Sequence, residues 1–128
     1  MKAGQFLIKG EQAEKYIAGF LKLNYSPVYL MNKNKMLIIV TEQYSFRNNS
    51  SFTLTFVIFK EEIEGENYLR IQIIGGGSGT GFFNFDFGKS KESIKGIYHD
   101  LKSYCQTQKY WISDLEMLPI ADGFEYKE

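Results

Sequence analysis

Cysteine and histidine are almost missing from this chain of 128 residues, which has one of each, Cys105 and His99. A lone cysteine excludes an intrachain disulfide and any cysteine-based metal cluster, and it fits a reducing compartment. A lone histidine has to converge with partners in a pocket before it can serve a metal site or a nucleophile-histidine pair. Net charge is also lacking, because 15 basic and 15 acidic residues cancel. No global field then recruits nucleic acid or an anionic membrane. No apolar run approaches the ~18 residues of a membrane-crossing helix. The first nine residues hold only a three-residue apolar run, too short for a signal-peptide core. A cytoplasmic protein is expected, with no nucleic-acid and no membrane partner.

What the chain does have is apolar and aromatic bulk. Its hydrophobic fraction is 44% and its aromatic fraction 16%, with 11 Phe and 9 Tyr, a composition that argues against disorder and favours strands with one packed face. The length suits a single domain over 1–128 that buries a conventional core without covalent staples. Residues 121–128 are expected to fray.

The most unusual stretch is 75–81, Gly75-Gly76-Gly77-Ser78-Gly79-Thr80-Gly81, which holds five of the 12 glycines. Such a run suits a loop where the backbone needs positive φ or approaches something closely. Successive backbone donors in a glycine-rich turn can also form an anion nest. The spacing does not fit a dinucleotide fingerprint, which needs glycines at i, i+2 and i+5 opening a helix. It does not fit a Walker loop either, since Gly81 and Gly88-Lys89-Ser90 are separated by six residues instead of four.

Periodicity supplies the elements. Residues 5–9 read as a short strand, and from Glu11 the residues Ala13, Tyr16, Ile17, Phe20 and Leu21 recur at helical spacing while Lys15 and Lys22 fall elsewhere. Pro27 ends this helix. Strands follow at 28–31 and 36–44, with a hairpin turn at 32–35, because asparagine tolerates left-handed geometry. In 51–60, Phe52, Leu54, Phe56 and Ile58 share one face, opposite Thr53 and Thr55. A charged turn at 61–67 leads into 68–74, where Leu69, Ile71 and Ile73 lie opposite Arg70 and Gln72. Phe83, Phe85 and Phe87 mark a further strand. Ser90 then caps a helix whose Ile94, Ile97, Tyr98, Leu101 and Cys105 form one stripe. The tail carries Trp111, Ile112, Leu115 and Met117 and is expected to pack back on the domain. The fold class is α+β: an antiparallel sheet of four to six strands with two amphipathic helices on one face.

The candidate site residues are few. Ligand binding is expected at Gly76, Gly77, Ser78, Gly79, Thr80 and Gly81, with Arg47 and Asp86 as neighbours. Asp86 alternates with phenylalanines, and partial desolvation would raise its pKa. His99 falls on the polar side of the second helix and Cys105 on its buried stripe, so one reads as a surface residue and the other as a small core hydrophobe. The carboxylates at 61–66 read as a solvated turn, and Arg70 as a partner in ordinary surface pairing. Phe52, Phe56, Phe83, Phe85 and Phe87 could line a lipid or hydrophobic-ligand cavity, but their period-2 spacing fits an ordinary core better.

The octet Tyr44-Ser45-Phe46-Arg47-Asn48-Asn49-Ser50-Ser51 leads into the alternating strand, and the glycine run and Asp86-Phe87-Gly88 precede the helix. Over roughly 44–104 this combination resembles a small uncharacterised bacterial domain family of unknown function. The resemblance implies a compact α+β domain and transfers no functional residue. The expected role is a non-enzymatic module that binds a small ligand or a protein through the glycine-rich loop, with no cofactor and no metal. Two alternatives remain. One is an oligomerisation or scaffold module, such as a homodimer, using the outward sheet face or an edge strand. The other is an enzyme with Asp86 as acid/base.

Overall fold

The computed structural model describes residues 2–45, 50–79 and 89–119. In chain order the elements are β1 (Lys2–Lys9), α1 (Ala13–Asn24), β2 (Pro27–Lys33), β3 (Met36–Ser45), β4 (Ser50–Ile63), β5 (Glu66–Gly79), α2 (Lys89–Gln108), β6 (Trp111–Ile112) and β7 (Glu116–Leu118). The strands form one antiparallel sheet in the order β2-β3-β4-β5-β1-β6, and β7 also pairs with β1. The class is α+β, and the described residues supply seven strands where four to six were expected.

Strands β2 to β5 make a meander. Two-residue turns join β2 to β3 and β4 to β5, at Asn34-Lys35 and Glu64-Gly65, and all four residues have positive φ. That geometry matches the twist of the flanking strands. The charged turn expected over 61–67 contracts to two residues, because pairing between β4 and β5 runs on to Ile63 opposite Glu66.

At the other end of the same ladder, the expected glycine loop is strand as far as Gly79. Gly76 pairs with Thr53, Gly77 with Phe52, Ser78 with Ser51 and Gly79 with Ser50. A 14-residue partner strand outweighs the weak strand preference of glycine here.

β1 does not pair with its neighbour in sequence. It lies against β5, from Lys2 opposite Gly75 to Ile8 opposite Leu69. Since every adjacent pair from β1 through β5, β4 and β3 to β2 is antiparallel, β1 and β2 point the same way, four strand positions apart. The link between them must return along the sheet and cross it at once. α1 is that diagonal crossover.

Both helices cover the face that carries Phe6, Ile8, Ile39, Leu54, Phe56, Ile71 and Ile73, all buried. The stripe of α2 is buried as the spacing predicts, and Tyr98 meets Phe6 edge-on at 5.1 Å. α1 is turned slightly from expectation. Small Ala13 and Ala18 lie inward with Ile17 and Leu21, while Tyr16 is 40% exposed. The reverse face, with Thr53, Thr55, Arg70 and Gln72, was expected to be wet or used for association. It does hold the Arg70–Glu61 ion pair and a Gln72–Gln5 hydrogen bond, but Tyr29, Met31, Ile38, Val40, Val57 and Phe59 also lie on it.

The tail packs back, as expected, along the free side of β1. Its two short strands differ by one residue in register, which makes 113–115 a bulge. Ser113 bridges the gap: its backbone N–H donates to Leu7 O (2.9 Å), and its hydroxyl oxygen accepts from Leu7 N (2.7 Å). The Tyr98 hydroxyl donates to Ser113 O (2.7 Å), fastening the bulge to α2. Two glycines permit this closeness. A Cβ on Gly4 would lie 3.0 Å from Leu115 and 3.1 Å from Ile94, and one on Gly10 would overlap the Tyr110 ring.

Two substitutions test these contacts. Ser113→Ala leaves the Leu7 N–H without its acceptor and is expected to cost about 1–2 kcal/mol in urea unfolding. Thr41 is fully buried, and its hydroxyl has no hydrogen-bond partner among the described residues. Thr41→Val removes that desolvation penalty, so its unfolding midpoint should equal or exceed that of the parent chain.

Candidate ligand groove

The diagonal course of α1 leaves one corner of the sheet's helix-bearing face uncovered, where β2 ends, β3 begins and β4 ends. A cleft of about 930 Å³ occupies that corner. The size is at the upper end of ordinary small-molecule sites. Its floor is apolar, made by Ile8, Leu37 and Leu69 from the sheet and by Ala13 and Ala18 from α1. Leu30 on β2 forms the outer lip and is 48% exposed.

The rim is polar and cationic. Lys15 and Lys22 flank Ala18 along one side of α1, at i, i+3 and i+7, and Lys60 faces them from the end of β4. Glu14 meets Lys60 at 3.1 Å, so three lysines stand against one carboxylate. Asn32 and Asn67 add neutral hydrogen-bonding groups. Among the described residues, no histidine, cysteine, serine or threonine lines the cleft. The arrangement can desolvate an apolar body and hold a negative head.

Of the site residues expected from the sequence, the described part of the glycine run lies away from this groove. Gly76 pairs with Thr53, seven positions beyond Leu69 along β5. At ~3.3 Å per residue that is about 23 Å from the groove floor. Arg47, Thr80, Gly81 and Asp86 lie outside the described residues, as do Phe83, Phe85 and Phe87. Phe52 and Phe56 are closed core, with exposures of 2% and 0%. His99 is exposed on α2. Arg70 pairs with Glu61, and Glu66 pairs with Lys9. The groove itself escaped sequence reasoning. Its faint signal was two lysines placed a helical heptad apart beside alanine, on a helix otherwise lined with bulky residues.

Elsewhere the polar groups have structural roles. The Tyr25 hydroxyl donates to Asp100 (2.8 Å). Burial first, and then the bond and charge of Asp100, raise its pKa, so it stays a phenol. Burial likewise pushes the Cys105 thiol up to about 11. Among the described residues, no group of three or more His, Cys, Asp or Glu side chains could hold a metal ion, and no helix is long and apolar enough to cross a membrane. No family model matches the chain, and neither a curated protein nor a solved structure is detectably similar to it. The likeness noted over 44–104 therefore stands without a matching family model.

The raised thiol pKa has a measurable sign. The folded state holds the Cys105 proton up to about pH 11 while the unfolded chain releases it near 9.0. Stability tied to this proton is intact below pH 9 and is lost as pH rises toward 11. At pH 8 the thiolate is on the order of one molecule in a thousand. An aromatic disulfide reagent should label Cys105 only slowly in the native protein and within seconds in urea.

Proposed function

We propose that this chain is a non-enzymatic binding module whose ligand is a small amphipathic anion held in the groove beside α1. The observation that carries the reading is the pairing of an apolar floor with a lysine rim in one cleft of about 930 Å³. Burying a hydrocarbon body on Ile8, Leu37 and Leu69 supplies affinity, at roughly 25 cal/mol per Å² of apolar surface removed from water. The lysines select the sign of the head group. The reading of binding in place of catalysis is supported by the lining, whose ionisable groups among the described residues are Tyr68, the lysines and Glu14. The module role expected from the sequence is kept, but its site moves from the glycine run to the opposite end of the sheet.

Thermal shift with three ten-carbon probes, decanoate, decanol and decyltrimethylammonium, separates the contributions. Decanoate at ~100 times its dissociation constant should add about 2.7 kcal/mol, several degrees for a domain of this size. The cationic probe should give the smallest shift. Ala18→Phe fills the floor and should abolish the decanoate shift. Lys15→Glu combined with Lys22→Glu should weaken decanoate about tenfold while sparing decanol. Absence of any shift, or a shift that survives Ala18→Phe, rules out the groove.

A further inference from the structure

The sheet has two unlike edges. On the β1 side, the strap of β6 and β7 is two short pieces broken by the 113–115 bulge. Breaks and bulges of this kind prevent a further strand from adding. The other edge is β2, which among the described residues pairs with β3 alone. It presents four apolar residues in succession: Val28 is 62% exposed, Tyr29 55%, Leu30 48% and Met31 36%. No charged residue interrupts them. Pro27 stands at the start of the strand and Lys33 at its end. An apolar edge strand open on both faces is the kind of template that natural sheets cover or charge.

We propose that β2 pairs with β2 of a second copy of this chain, antiparallel about a two-fold axis at Leu30, joining the two sheets edge to edge. The register follows from the sequence of the strand. Leu30 meets its own counterpart, Tyr29 meets Met31 and Val28 meets Asn32, while Lys33 falls beside Pro27. No like charges face each other, and the aromatic–thioether pair is favourable. The register shift at 27–29 places the irregular part of β2 at the end of this ladder, away from the axis.

Closure follows from the same contrast of edges. Pairing β2 with the opposite edge of another copy would build an open filament, but the bulged strap offers no continuous ladder for it. The two-fold pair uses β2 twice and leaves only bulged edges outside. It also places the second copy's Leu30 and Asn32 beside the lip of the groove, so the two grooves meet at a shared lip. The dimer itself does not depend on the groove being occupied.

Sedimentation of the full chain at roughly 100 µM should give the mass of two 14.8 kDa chains. Leu30→Lys and Met31→Lys each place a charge on both sides of the axis and should weaken the dimer at least about tenfold. Circular dichroism should show both still folded, since these side chains are exposed in the single chain. Trp111→Lys on the opposite edge should leave the mass unchanged. Leu30→Cys in a Cys105→Ser background should cross-link into a covalent dimer on mild oxidation, which keeps the test decisive if either lysine variant fails to fold. A monomer at this concentration, a dimer indifferent to both lysines with no cross-link, or a ladder of larger species would each overturn the proposal.

Discussion

One topological constraint organises this molecule: β1 and β2 run parallel with three strands between them, and a single helix must connect them. α1 cannot lie along the strands, because it also has to cross from one side of the sheet to the other. It therefore divides the buried face into two regions. α2 fills the region over β5 and β1, where Tyr98 reaches Phe6. Nothing else among the described residues fills the region over the ends of β2 and β4, and the groove lies there. The same diagonal leaves β2 without a helix above it, so its residues from Val28 onward are exposed on both faces. Groove and open edge thus share one cause.

The opposite side shows how tightly the chain can pack when three segments converge. β1 is held by a full ladder to β5 on one flank and by the strap on the other. Ser113 occupies the point where the strap's register slips, and its side chain replaces the backbone acceptor that the slip removes from Leu7. Tyr98 completes the arrangement from above. Gly4 and Gly10 lie where a methyl group would have to displace Ile94, Leu115 or Tyr110.

Local physics made much of this visible in the residues. Phe52, Leu54, Phe56 and Ile58 declare the inner face of β4 because alternation is a property of the strand alone. The stripe from Ile94 to Cys105 declares α2 for the same reason. The turn at Asn34-Lys35 follows from asparagine's tolerance of left-handed backbone. What stayed hidden depends on distant partners. Hairpins fix their own neighbours, so nothing near Phe6 indicates that β1 sits beside Ile71. Gly76 and Gly77 read as loop because glycine has no side chain to prefer a strand, and only the length of β4 draws them into the ladder. The groove was hidden more deeply still, since Lys15, Leu37 and Lys60 come together only through the path of α1.

The placement of β1 also shapes how the chain reaches this state. Lys2 pairs with Gly75 and Ala3 with Leu118, so β1 is made well before the strands it pairs with. During synthesis, the ladder partners of Phe6 and Ile8, Ile71 and Leu69, arrive only about half a chain length later. The meander from β2 to β5 can zip locally, turn by turn, through contacts close in sequence. Closing β1 into its slot carries the large loop-closure entropy of the fold. Folding should therefore pass through a barrier set by the docking of this one N-terminal strand.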